Sequence, residues 1–475
     1  MSASDTIRNR TWDQLQVGET ATVERVCAVQ DLILFAHVSG NTNPLMLPTQ
    51  EEARAAVPAM APSLWVGSLV SAVLGNILPG AGTVYRAQSF RFPSRVHVGD
   101  RLVATVKCVA KRERPLAVFE TTVATADGRV VCEGTAEVEA PLTSVSTARR
   151  TLPQIIVDQH DHFAKLMAAA AHLPPLKTAV VCPDDRNSIG GVAMSAKGGL
   201  ITPILIGDEG AIRRAAADQG VDLSGFPVVA EKDHRAAAAK AVAMVRAGEA
   251  GAIMKGNVHS DELLAQVVKK DGGLRGPRRI SHCFVLDVPT LDHLLFVSDA
   301  AINISPDLTT KVDIVQNAID LAQACGLPKP RVGVLSAVET VNVAIPSTLD
   351  AAVLSKMADR GQIKGAVVDG PLAMDNAIDL EAAQTKGIGS LVAGRADILI
   401  VPNLEAGNML AKELTFVARA EAAGLVLGAS APVMLTSRAD DARARMASCA
   451  LALLYEHFRR EGAPAGARPA RRLAS

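Results

Sequence analysis

Apolar and polar positions follow two different rhythms along this chain. Up to about residue 140 they alternate with a period of two, in the stretches 82–92, 101–111, 117–126 and 130–139. That is the pattern of half-buried antiparallel strands. Asp127-Gly128, between the last two, predicts a hairpin turn. Against these strands stands one segment, 63–77, apolar around its whole helical circumference. Such a helix is expected to be buried on all sides, so a sheet must wrap it. The rhythm changes after Pro141. Residues 141–154 are small and polar and read as a linker. From 155 onward, short Val/Ile/Leu runs alternate with Ala-rich helices, with strands expected at 178–182, 203–207, 251–254, 300–304, 331–335, 365–369, 397–401, 425–427 and 432–436. Near-continuous apolar runs separated by helices predict parallel strands covered on both faces, with ligands at their carboxyl ends. The expected organisation is multidomain: an α+β domain at 10–140, the linker, an α/β domain at 155–460, and a basic, disordered tail at 461–475.

Composition narrows the partners. A chain of 475 residues is too long for one core. Lys+Arg and Asp+Glu both number 49, so no net field favours nucleic acid or an anionic membrane. The longest apolar stretch, 64–78, is interrupted by glycine, serine and asparagine and is too short to span a bilayer. No secretory signal is read at the start of the chain. Seven scattered cysteines without a C-x-x-C pair point to a reduced, cytoplasmic setting and away from structural zinc. His160-Asp161-His162 is the one histidine cluster, and no metal site is expected there.

The densest chemistry lies at Val433-Met434-Leu435-Thr436-Ser437-Arg438-Ala439-Asp440-Asp441. An apolar strand ends at Thr436, a Ser-Arg pair follows, and Asp440 opens a helix expected at 442–455. A strand that delivers Ser, Arg and Asp to a helix N-terminus offers an anion a fixed cation, backbone N–H groups and a proton acceptor. Ser-x-x-Asp is also a capping box, so the local motif carries both readings. Other polar loops follow predicted strands: Lys255-Gly256 with His259, Ser336 to Asn342 after Leu335, Asp369-Gly370-Pro371, Asn403 with Gly407-Asn408, and the arginines at 275, 278 and 279. Five such loops are expected on one edge of an α/β sheet, where a pocket forms. The usual nucleotide-phosphate loops and the G-x-S-x-G elbow are missing from the sequence, so a large anion would be held by arginines and helix N-termini.

Residues 160–457 resemble the phosphate acetyl/butyryltransferase family. The matching stretches include Met254-Lys255-Gly256, Ile280-Ser281-His282, Val297-Ser298-Asp299, Asp369-Gly370-Pro371-Leu372, Glu405-Ala406-Gly407-Asn408 and Leu435-Thr436-Ser437-Arg438-Ala439-Asp440. The resemblance implies a two-subdomain fold similar to isocitrate and isopropylmalate dehydrogenases. It implies the reaction acyl-CoA plus phosphate to acyl phosphate plus CoA, with no tightly bound cofactor. It puts Ser437, Arg438 and Asp440 at the reacting centre. Lys255, Gly256, His259, Arg275, Asp369, Gly370, Pro371, Asn403, Gly407 and Asn408 are expected to bind substrate, with Arg275 or a neighbouring residue as a second cation for phosphate.

Residues 10–140 resemble the MaoC-like hotdog family of (R)-specific enoyl-CoA hydratases, through Phe35-Ala36-His37-Val38-Ser39-Gly40 with Asn43-Pro44, the apolar helix, and Phe90-Arg91-Phe92 before Gly99-Asp100. The hydratase pattern has Asp after Ser-Gly and His two residues after Asn-Pro, whereas this chain has Asn41 and Met46. Hydration needs groups that take and give protons, and neither can. Pro62-Ser63 also replaces the His-Gly that precedes the long helix. The domain is therefore read as a degenerate hydratase that binds acyl-CoA or assembles a homo-oligomer, a dimer or larger. The rivals are a true bifunctional enzyme, with Asp31 or His37 standing in, and a non-catalytic acyl-CoA-binding scaffold.

Overall fold

The computed structural model describes residues 6–47, 59–148, 155, 161–436 and 440–466. The chain divides into two compact units, Met1–Gln159 and His160–Ser475.

In the first unit, β1 (Thr6–Arg8) is followed by β2 (Thr20–Val26), β3 (Val84–Arg91), β4 (Arg101–Lys111), β5 (Leu116–Thr125), β6 (Val130–Glu139) and β7 (Ser146–Ala148). Five of them form an antiparallel sheet in the order β2-β4-β5-β6-β3. The alternation seen in sequence is the alternation of burial: on β4, Leu102, Ala104, Val106 and Cys108 face the core. They pack on the helix Ser63–Asn76 through Trp65, Val66, Val70, Val73 and Leu74. That helix is not buried on every side within one copy of the chain. Leu64 is 64 % exposed, and Ser68, Ser71 and Gly75 share its open face. A single five-stranded sheet can cover only one face of a helix. The stretch read as linker also departs from expectation, because β7 pairs antiparallel with β1, Ile7 opposite Thr147.

The second unit is built on an eleven-stranded sheet. Its strands are β8 (Leu176–Val181), β9 (Ile201–Gly207), β10 (Val228–Ala230), β11 (Ala252–Lys255), β12 (Ser281–Asp287), β13 (Leu295–Ser298), β14 (Arg331–Leu335), β15 (Val367–Leu372), β16 (Ile398–Ile400), β17 (Glu421–Leu427) and β18 (Val433–Met434). Their order is β10-β9-β8-β11-β18-β17-β12-β13-β16-β14-β15. The sheet is mixed rather than all parallel, since β17 runs antiparallel to both β18 and β12, and β12 antiparallel to β13. Connection length is the reason. Only residues 428–432 join β17 to β18 and 288–294 join β12 to β13, whereas a parallel crossover needs a dozen or more. The expected strand at 300–304 is a turn. Strand β13 ends at Ser298, and the buried Asp299 carboxylate then accepts from the backbone N–H groups of Ala301, Ile302 and Asn303. Those bonds compete with any ladder.

Two half-sheets therefore run in opposite directions, β8 to β11 with β18 on one side and β13 to β16 on the other. Register shows where they end. Ile253 pairs with Val433, Val433 with Val426, and Val426 with His282. One residue along, Cys283 pairs with Ser298, Ser298 with Ile400, and Ile400 with Val334. The carboxyl ends of both halves thus stop on neighbouring rows and leave the sheet in opposite directions. The single edge of five polar loops expected from sequence is replaced by two sets of loops departing from a shared belt.

Candidate functional site

The carboxyl ends of β11 and β18 are knotted together by side chains. Lys255 is 3 % exposed, and its Nζ donates to the Thr436 carbonyl at 3.2 Å. The Thr436 hydroxyl returns a bond to the Lys255 carbonyl at 3.1 Å. Arg445, on the first turn of the helix Ala442–Glu461, reaches Thr436 Oγ1 at 2.7 Å and is 1 % exposed. Burial pushes its pKa down, and the Asp185 and Asp440 carboxylates act against that shift. A guanidinium stays charged under such conditions, so the loop after β18 starts beside a buried cation. Room for it comes from Gly191 on the helix Arg186–Lys197, where a Cβ would meet Arg445 Cδ at 2.6 Å. Nothing in the sequence singled Arg445 out, because A-R-A-R in a helix reads as a solvated face.

Ser437 and Arg438 lie outside the described residues. Asp440, half-buried, is described. It does not open the helix. That position belongs to Asp441, whose carboxylate accepts from Ala444 N at 2.9 Å. With two consecutive aspartates, the second takes the cap because its spacing to the N3 amide suits, and Asp440 is left to the loop.

Asp440 lines a recess of about 340 Å³ together with Asn408, Phe284, Ala411 and Ala422. Asn408 comes from the other half-sheet: it sits on the helix Leu404–Phe416, which follows β16, and its amide donates to the Ala300 carbonyl at 3.2 Å. Gly407 lets that helix close on the turn after β13, where a Cβ would come within 2.8 Å of the Asp299 carbonyl oxygen. Asn403 is the cap of the same helix, accepting from Ala406 N at 2.9 Å. Sequence reasoning named these three as ligand-binding. In the structure Asn403 and Gly407 place the helix, and Asn408 is the one that faces the recess.

The remaining expected residues spread further. Gly256 is buried where β11 meets β8, since a Cβ there would lie 2.4 Å from the Cys182 carbonyl oxygen. Its neighbour Asn257 donates to Asp184 at 3.0 Å, a contact with no sequence signal. His259 is exposed at the start of the helix Ser260–Val267. Arg275 is a correction: its Nε donates to the Val268 carbonyl and its backbone bridges Ala429, at the opposite end of β18 from Thr436. Of the other two arginines in that run, Arg278 pairs with Asp320 at 2.6 Å, and the Arg279 backbone N–H donates to Asp313. Asp369, Gly370 and Pro371 belong to β15, the last strand of the sheet. Six strand spacings separate it from β18, about 29 Å along the sheet, so these residues and Asp440 are not brought together. Gly370 is packed against Val334, with 2.8 Å between its built Cβ and the Val334 carbonyl oxygen.

Behind the recess lies His282, 1 % exposed, with its ring edge-on to Phe284 at 4.5 Å between centroids. Neither ring nitrogen has a hydrogen-bond partner among the described residues. Burial lowers its pKa to about 4, so it is neutral near pH 7. Among the described residues no three His, Cys, Asp or Glu side chains gather as metal ligands, and no helix is long and apolar enough to cross a membrane.

In the first unit, Asn41 is exposed and accepts from Asn43 N at 3.2 Å. Met46 ends a 3₁₀ turn and lines a recess of about 370 Å³ with Met60, Ser63, Phe92 and Arg95. Asp31 is occupied otherwise: its carboxylate accepts from Ala28 N and is paired with Arg25. His37 is exposed.

Comparison with known proteins adds the following. The profile of the family described as Phosphate acetyl/butaryl transferase matches residues 229–453. A phosphate acetyltransferase of Rhizobium meliloti is 57% identical over 302 residues, 64% of this chain and 96% of that protein. The crystal structure of a branched-chain phosphotransacylase from Enterococcus faecalis V583 is 29% identical, with a TM-score of 0.52, over 59% of this chain and 99% of that one. The R-hydratase PhaJ1 from Pseudomonas aeruginosa is 33% identical, with a TM-score of 0.30, over 32% of this chain and 99% of that one.

Proposed function

Because the chain belongs to the Phosphate acetyl/butaryl transferase family, we propose that its second unit moves a short acyl group between coenzyme A and inorganic phosphate. The observation that carries this reading is the recess where Asp440, two residues beyond Arg438 in the chain, meets Asn408 from the other half-sheet. In the proposed reaction a phosphate oxygen attacks the thioester carbonyl carbon. The C–S bond breaks, the carbonyl re-forms, and the departing thiolate takes the proton that phosphate gives up. Arg438 holds phosphate through two parallel N–H bonds. Ser437 donates to the thioester oxygen as negative charge grows on it, and the N-terminus of the helix Ala442–Glu461 favours the same charge. Asp440 has two roles open to it, accepting the phosphate proton or orienting Arg438. The pH profile of Asp440→Asn separates them: a base gives up the acidic limb, an orienting group leaves it in place. Lys255 holds the loop after β18 by its carbonyl bond and acts as a positioning residue.

We read the unit as the two-subdomain α/β fold of the isocitrate and isopropylmalate dehydrogenase kind, a reading that the opposed half-sheets support. We place the protein in the cytoplasm on its cysteines, all seven of which are free thiols. Coenzyme A and phosphate are substrates, with no resident cofactor proposed. The first unit is proposed to bind an acyl-CoA or to assemble the oligomer, supported by the recess beside Met46. The test is release of free thiol from acetyl-, propionyl- and butyryl-CoA by the whole chain, with and without phosphate. Release that requires phosphate is expected; none, or release indifferent to phosphate, overturns the proposal.

A further inference from the structure

Resting on the acyltransfer reading, we infer that the recess shared by Asp440 and Asn408 is the acyl-chain pocket, that Ala411 and Ala422 set its depth, and that it accepts chains longer than acetyl. The recess has two kinds of wall. Asp440, Asp441 and Arg443 form a polar side next to the Ser437-Arg438 segment in the chain. The opposite wall is mainly apolar, Phe284, Ala411, Phe416, Ala420 and Ala422, with Ala411 2 % and Ala420 5 % exposed and with Lys412, Thr415 and Glu421 between them. A carbonyl held near the polar side would send its alkyl chain toward the apolar one.

Three observations favour an alkyl chain there over the pantetheine arm of coenzyme A. The arm carries two amides, and burying an amide without partners is costly. Of the polar groups on that side, Asn408 donates to the Ala300 carbonyl, Thr415 Oγ1 to the Ala411 carbonyl at 2.8 Å, and Glu421 accepts from Arg443 at 2.8 Å, while Lys412 is exposed. The Phe284 ring is backed by the His282 ring at 4.5 Å, and His282 is confined by Gly424, where a Cβ would lie 2.7 Å from Nε2. The wall is therefore fixed as well as apolar. At about 340 Å³ the volume exceeds what two carbons fill. Three alanines, Ala411 on the helix Leu404–Phe416, Ala420 just before β17 and Ala422 on it, are what leaves it open.

The experiment compares kcat/KM of the whole chain for acetyl-, butyryl- and hexanoyl-CoA with phosphate, in wild type, Ala411→Leu, Ala422→Leu and Phe284→Ala. One methylene in a hydrophobic pocket is worth roughly 10- to 200-fold. Wild type is expected to use butyryl-CoA at least as well as acetyl-CoA. Each leucine variant should lower the butyryl-to-acetyl ratio by about tenfold or more, and Phe284→Ala should raise the hexanoyl-to-butyryl ratio. If wild type transfers no acyl group to phosphate, the acyltransferase reading itself fails. If it transfers acyl groups but prefers acetyl by more than about tenfold, or if folded variants leave the ratios unchanged, only the acyl-pocket inference falls. Should the leucine variants not fold, the direction of the Phe284→Ala ratio decides.

Discussion

At the scale of single residues, the proposed chemistry depends on geometry more than on charge. Arg438→Lys keeps the positive charge but cannot make two parallel bonds to phosphate. Loss of one such transition-state contact costs on the order of 3 kcal/mol, about a hundredfold in rate. Phosphate-dependent thiol release should fall by that much at an unchanged melting temperature, and a near-normal rate would remove Arg438 from the mechanism. Arg445 acts at one remove, holding Thr436 where the loop begins. Gly191→Ala tests it without replacing either group. A methyl there would press on Arg445 Cδ at 2.6 Å, and overpacking costs about 1–3 kcal/mol. Better helix propensity returns roughly 1 kcal/mol. A melting point lower by a few degrees, with reduced turnover, is expected; unchanged melting and turnover would show that Arg445 moves aside freely.

At the scale of elements, the helix Ala442–Glu461 separates capping from catalysis. Asp441 caps it through Ala444 N, so Asp441→Ala should cost about 1 kcal/mol of stability and lower thiol release far less than Ser437→Ala does. Ser437→Ala should do the reverse, cutting the rate while the melting temperature holds. If the two variants exchange these outcomes in thermal melts and rate assays, the Ser-Arg segment is only a helix start. The same elements show what a sequence conveys. Apolar runs announced β8, β9, β14 and β17, because a strand buried on both faces must be apolar throughout. Strand β12 escaped notice because Ser281, His282 and Asp287 interrupt it; Asn317 meets Ser281 and His162 meets Asp287 from elsewhere in the fold, while the His282 ring packs on Phe284. The antiparallel turn-back of β17 was legible in the five residues 428–432, had their length been weighed against what a crossover needs.

At the scale of the molecule, the two units make different demands. Asn41 and Met46 stand where the resembled hydratases have an Asp and a His, and each such acid–base group is typically worth two to four decades. Crotonyl-CoA hydration by the whole chain should therefore stay at background. Asn41→Asp with Met46→His should raise it, since Ser39, Gly40, Asn43 and Pro44 are retained. Measurable hydration in the unaltered protein, indifferent to both positions, would restore the bifunctional reading. The open face of the helix Ser63–Asn76, with Leu64 64 % exposed, and the edge strand β3, with Val84 50 % exposed, leave apolar surface for a second copy to cover. Light scattering at micromolar concentration should give a mass of at least two chains, and a monomeric mass would refute assembly.

Some properties of this protein were decided by its sequence alone. Period-two alternation specified a sheet with one wet face, and apolar runs between helices specified buried strands, because side-chain period is a local property of the backbone. The Ser437-Arg438-Asp440 motif, the presence of Asn41 and Met46 where the resembled pattern has Asp and His, and the family resemblance are equally local. Which residues share a cavity was decided only by tertiary structure. Asp440 and Asn408 meet because two antiparallel strands reverse the sheet between them, while Arg275 and Asp369, as conspicuous in sequence, are carried to other parts of the fold. Arg445 and Phe284 had no sequence signal, since burial of a cation and the orientation of a ring depend on neighbours more than a hundred residues away in the chain: Lys255 for one, Asn408 for the other. Strand order and register are long-range pairings, and no window of sequence contains both partners.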